Sequence, residues 1–82
     1  MNKISHFALD YYNKAVIREI MNKYAMNEMD AANAFLTSQT HAMLENADMA
    51  MWEFSAHAIF DIWENEQITG NPRNSVYLRS EL

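Results

Sequence analysis

The 82-residue chain contains no cysteine, a single glycine and a single proline. Without thiols there is no disulfide, no thiolate metal centre and no cysteine nucleophile. The staples on which small secreted domains depend are missing, so a cytoplasmic location is expected. One glycine excludes the glycine-rich loops that cradle phosphates, and no serine or threonine sits in a nucleophile elbow. Long apolar runs are lacking too. No stretch approaches the ~18 uncharged apolar residues of a spanning helix. Residues 1–10 mix Lys3, His6 and Asp10 with apolar side chains and hold no continuous run of signal-peptide length. A soluble chain without membrane association is expected.

Positive charge is absent from the middle. Between Tyr24 and Pro72 there is no lysine or arginine, whereas Glu28, Asp30, Glu45, Asp48, Glu53, Asp61, Glu64 and Glu66 all fall there. The cations lie at the ends, as Lys3, Lys14, Arg18 and Lys23 before the gap and Arg73 and Arg79 after it. Nucleic acid is not an expected partner of the isolated chain: a net charge of −5 and a dilute basic segment cannot neutralise a run of phosphates. The segregation implies either that the basic ends fold over the acidic middle or that an acidic face is left for a cationic partner.

What is present is helical. Strand-type alternation is missing and turn residues are few, so one all-α domain over 1–82 is expected, a small bundle of three to four helices with a polar C-terminal tail. Leu9, Tyr12, Val16, Ile20 and Tyr24 recur at helical spacing behind Ser5, a good N-cap, and predict a long first helix over 5–24. Asn27 caps a second over 28–37, with Met29, Ala32, Phe35 and Leu36 as its apolar side. Thr37 and Ser38 compete for backbone partners and predict a break, with a short helix following through His41 and Leu44 to Glu45. The segment 46–54 reads as a connector whose Met49, Met51, Trp52 and Phe54 plug the core. Ser55 caps the last helix, which buries Ala58, Ile59, Ile62 and Trp63 and turns Asp61, Glu64 and Glu66 outward. Gly70 and Pro72 end it. The strap 73–82 then either crosses the bundle or docks on another copy. The core is expected to join Leu9, Tyr12, Val16, Ile20, Phe35, Leu44, Trp52, Ile59, Ile62 and Trp63.

The seven methionines suit an adaptable, alanine-rich core, with Met21, Met29, Met43 and Met51 filling gaps and Met26 and Met49 at exposed helix ends. One constellation resembles a metal site. Glu53, His57 and Asp61 are spaced four apart, as are His41 and Glu45, and carboxylates with imidazoles could together hold zinc, manganese or iron. The preferred reading is a surface histidine flanked by carboxylates, with no cofactor and no catalytic residue; the alternative is a metal-binding helical protein or a small metal-dependent enzyme using this cluster.

Over Asn27 to Gly70, the pattern Phe35, Ser38, Thr40, Leu44, Trp52, Ser55, Ile59 and Glu64 resembles small bacterial helical proteins of unknown function. Some of these are similar to accessory members of toxin and antitoxin gene clusters. The resemblance implies a bacterial, cytosolic setting and a protein partner rather than a substrate, and it carries no functional residue with it. Together these readings predict a non-catalytic protein-interaction module, either a homo-oligomer or bound to a larger partner. The side chains off the main stripes, Phe7, Tyr11, Met49, Phe54, Phe60, Tyr77 and Leu82, supply the apolar contact. Lys14 and Arg18 of one copy would meet Asp61 and Glu64 of another.

Overall fold

The structure, a computed structural model, describes residues 4–78. Four α-helices follow one another: α1 His6–Tyr24, α2 Glu28–Leu36, α3 Gln39–Glu45 and α4 Ala56–Thr69. Short 3₁₀ turns occupy Ala47–Met49, Met51–Glu53 and Pro72–Asn74. The expected all-α class is therefore the observed one, and no strand is present among the described residues.

Each helix begins where a side-chain oxygen meets a free amide of the first turn. Ser5 Oγ accepts from Ala8 N at 3.1 Å, Asn27 Oδ1 from Asp30 N at 2.8 Å, Ser38 Oγ from His41 N at 3.1 Å and Ser55 Oγ from Ala58 N at 3.1 Å. Each stops for an equally local reason. Ala25 ends α1 in the left-handed region at φ 54°, and Gly70 ends α4 there at φ 79°. The Thr37 hydroxyl turns back onto Asn33 O at 2.7 Å, and the Ser38 hydroxyl onto Phe35 O at 2.6 Å. These two bonds separate α2 from α3.

The long α1 packs across α2 and α4, while α3 packs on α4. Between them Val16, Ile20, Phe35, Leu44, Met51, Ile59 and Ile62 are fully buried. Each large apolar side chain so removed from water contributes ~1.5–3 kcal/mol. Pro72 and Ser75 are also fully buried, because the strap lies against α4. Ser75 Oγ donates to Asp61 Oδ2 at 2.7 Å. Over 73–78 the strap thus crosses its own bundle; Arg79 to Leu82 lie outside the described residues.

Several sequence expectations are corrected. In the connector only Met51 plugs the core. Met49 and Phe54 are half-buried against it, and Trp52 stays 50% exposed because the 3₁₀ turn points it outward. On α2 the buried pair is Ala31 and Phe35, leaving Met29 and Leu36 exposed, since α2 packs chiefly on α1. Met26, expected outside, packs against the core. Phe60, expected to face water, is buried beside Trp63, their rings stacked at 6.1 Å.

The acidic residues of α4 are not a free outward face. Asp61, Glu64 and Glu66 are all half-buried. Glu66 reaches the start of α3, where Oε2 accepts from Gln39 N at 2.9 Å and Oε1 accepts from Thr40 N at 2.9 Å and Thr40 Oγ1 at 2.7 Å. A carboxylate from one helix thereby satisfies orphan donors of another.

Candidate functional site

Two surfaces gather the side chains that sequence reasoning singled out. The first is polar and runs along the α1–α4 junction. His57 Nδ1 lies 2.9 Å from Glu19 Oε1, Lys23 Nζ lies 2.6 Å from Glu64 Oε2, and the Tyr24 hydroxyl donates to the same carboxylate oxygen. The Lys23 ammonium also stands 5.7 Å from the Phe60 ring centroid. Hydrogen bonding to Glu19 raises the imidazole pKa of His57, and the bond to Glu64 raises those of Lys23 and Tyr24. Partial burial pushes Glu64 up, but the bonds from Lys23 and Tyr24 and the nearby positive charge outweigh it and hold the carboxyl below its ordinary value. Here a basic end of the chain does fold over the acidic middle. Glu64 has its partners in its own subunit, and Asp61 accepts from Ser75 and from Asn65 Nδ2 at 3.3 Å.

The expected metal constellation does not assemble. Glu53 sits in the 3₁₀ turn before Ser55, so the row it was to share with His57 and Asp61 is broken at the helix start. His57 turns to Glu19 on α1. His41 is buried between α1 and α3, its edge against Phe35, with Nε2 3.0 Å from Asn13 Oδ1 and Nδ1 3.4 Å from Glu45 Oε1. Burial lowers its pKa, and Glu45 only partly offsets this. Among the described residues no three histidine, aspartate or glutamate side chains come together as a metal site, and no helix is long and apolar enough to cross a membrane.

The second surface is apolar and lies at the start of α1. Ile4 N donates to Glu45 O at 3.0 Å and ties the chain start to the end of α3. The buried Tyr12 aims its hydroxyl at Trp52 O, 2.8 Å away, and Phe54 O, 2.5 Å away, which clamps the connector to α1. Between these two ties Ile4, Ser5, Ala8, Ala47 and Trp52 line a trough of about 310 Å³. Tyr11 stands one turn on from Ala8 and is 62% exposed, and Phe7, one turn back from Tyr11, is 86% exposed. The chain matches no family model, no curated protein and no solved structure. The geometry of these surfaces therefore carries the functional reading.

Of the contact residues expected from sequence, Phe7, Tyr11, Lys14 and Arg18 share one exposed side of α1. They recur at 4-3-4 spacing, which keeps a row on one helix face. Tyr77 is exposed on the strap, its ring 5.9 Å from that of Phe54. Met49 and Phe54 support the connector from within, Phe60 is internal, and Leu82 lies outside the described residues. Sequence reasoning missed Trp52 and Ala47 as surface elements. A tryptophan between Met51 and Glu53 reads as core on composition alone, and no local signal separates it from Met51.

Proposed function

We propose that this protein is a non-catalytic docking module that binds protein through the outward aromatic surface at the start of α1, as a homo-oligomer or on a larger partner. The observation that supports it is the apolar trough lined by Ile4, Ala8, Ala47 and the half-exposed Trp52, together with the outward Phe7 and Tyr11 on the first turns of the same helix. Contiguous apolar surface on a small domain marks an interaction site, and aromatic side chains dominate the energy of such sites. The acidic residues of α4 are engaged within the chain, so the docking energy falls to α1 and the connector. A bacterial, cytosolic setting suits the cysteine-free composition. On this reading the heterologous partner is a larger protein, as the sequence pattern's resemblance to accessory members of toxin and antitoxin clusters implies.

A photo-crosslinking amino acid at position 7, compared with one at the distant exposed position Ile68, tests the reading in living cells. Discrete covalent protein adducts from position 7 and none from position 68 are expected. No adduct from position 7, or the same ladder from both, overturns the docking role.

A further inference from the structure

The row on α1 has an order that singles out one partner. From the N-terminal end it reads Phe7, Tyr11, Lys14, Arg18, two rings followed by two cations, over about 16 Å of helix. All four positions are exposed. Lys14 makes a single 3.4 Å pair with Asp10 on its own helix, and Arg18 makes no ion pair among the described residues. Position numbers 7 and 18 have the same sum as 11 and 14. A second copy of the row, reversed about a point between Tyr12 and Asn13, therefore brings every ring to a cation.

We propose that α1 pairs antiparallel with α1 of a second copy of this chain, Phe7 facing the partner's Arg18 and Tyr11 facing the partner's Lys14. This rests on the docking reading above and names its partner. The 4-3-4 spacing is that of a coiled-coil seam, whose alternating positions meet one another when two helices run in opposite directions. A two-fold axis makes each contact occur twice, giving four ring–cation contacts from four residues. The contact with Asp10 does not compete, because an ammonium has three donors and can lie over a ring while keeping one carboxylate. The two Lys14 side chains lie diagonally, about 4.5 Å apart along the axis, each drawn to a ring. Antiparallel helix dipoles also oppose favourably. A polyanionic surface fits less well: it would engage only Lys14 and Arg18, leave both rings idle and meet a chain of net charge −5. The seam is short. Ile4 precedes the helix and is buried in the core, and Met21 is half-buried at the other end, so the association is a reversible one.

Sedimentation equilibrium of the purified full chain up to millimolar concentration tests this with a swap. Wild type self-associates to a dimer. Tyr11→Lys sets lysine against the partner's Lys14 and weakens association roughly tenfold. Tyr11→Lys combined with Lys14→Tyr restores the ring–cation match and recovers most of the loss. These side chains are exposed, so circular dichroism should stay that of wild type throughout. A chain monomeric at every concentration, a swap that fails to rescue, or a monomer that binds vesicles of anionic phospholipid overturns the pairing. The two proposals fail separately. Position-7 adducts with a different protein, alongside a monomeric pure chain, sink the self-pairing and leave docking intact, whereas a monomeric pure chain together with an absence of adducts sinks both.

Discussion

Glu66 is the side chain whose removal should be felt most beyond its own helix. It supplies both carboxylate oxygens to three donors at the start of α3: the amides of Gln39 and Thr40 and the hydroxyl of Thr40. Thr40 is fully buried, so in Glu66→Ala its amide and hydroxyl lose their partner where water does not readily replace it. The Gln39 amide, at an exposed position, can be rehydrated. Ser38 cannot substitute, since its hydroxyl already serves the amide of His41. Stranding a buried donor costs ~1–3 kcal/mol, so two donors left within one turn give a loss of ~2–6 kcal/mol. Urea unfolding followed by helical circular dichroism measures it, and the melting temperature should fall by at least ~8 °C in a domain of this size. Glu66→Gln keeps one acceptor oxygen and should lose about half as much. In the Glu66→Ala background, Thr40→Val should cost ~1 kcal/mol less than it does in wild type, because the hydroxyl it removes is already stranded. A Glu66→Ala protein within ~0.5 kcal/mol of wild type at an unchanged denaturant slope would refute this account of α3.

His41 and His57 should titrate on opposite sides of the ordinary value. His41, lowered by burial, contributes stability that is lost as pH falls from about 6.5 toward its folded pKa; His57, raised by Glu19, contributes stability present below about 6.5 and lost as pH rises through its folded pKa. Imidazole NMR titration checks both, and Glu19→Gln should move His57 back toward 6.5 while leaving His41 in place. Ala50, at φ 54°, should gain ~0.5–1 kcal/mol as Ala50→Gly, whereas Gly70→Ala at φ 79° should lose about 1 kcal/mol through backbone strain alone, since an added Cβ meets nothing within 4 Å. Denaturant midpoints decide. Met51→Ala, at a fully buried position, should cost 2–5 kcal/mol, roughly, and Trp52→Ala under ~1 kcal/mol, although the two are neighbours in one turn; equal losses would contradict their placement.

Helix ends were the most legible part of this chain. Ser5, Asn27, Ser38 and Ser55 act on amides three residues away, so their effect is written in local sequence, and Gly70 likewise marks the end of α4. The inward stripes of α1 and α4 were legible from their spacing. What failed was anything that depends on a distant element. Glu66, Glu64 and Asp61 read as a solvated face because a carboxylate at helical spacing looks the same whether it meets water, Thr40, Lys23 or Ser75. Met29 and Trp52 read as core because apolarity says what a residue favours but not whether a neighbour arrives to cover it. In the candidate surface, Phe7, Tyr11, Lys14 and Arg18 could be assembled from sequence because one helix carries them all. The trough required Ile4, Ala47 and Trp52 from three segments and could not.

Adjacent tyrosines on α1 divide inside from outside. Tyr12 is buried with its hydroxyl on the carbonyls of Trp52 and Phe54, while Tyr11, its ring edge-on to Tyr12 at 5.4 Å, faces solvent. A helix fixed by such a bolt cannot roll about its axis or slide by a residue without tearing the clamp loose. Whatever adjustment binding demands is therefore confined to rotamers of the outer row. The contact face is preorganised, and complex formation should incur little loss of backbone freedom.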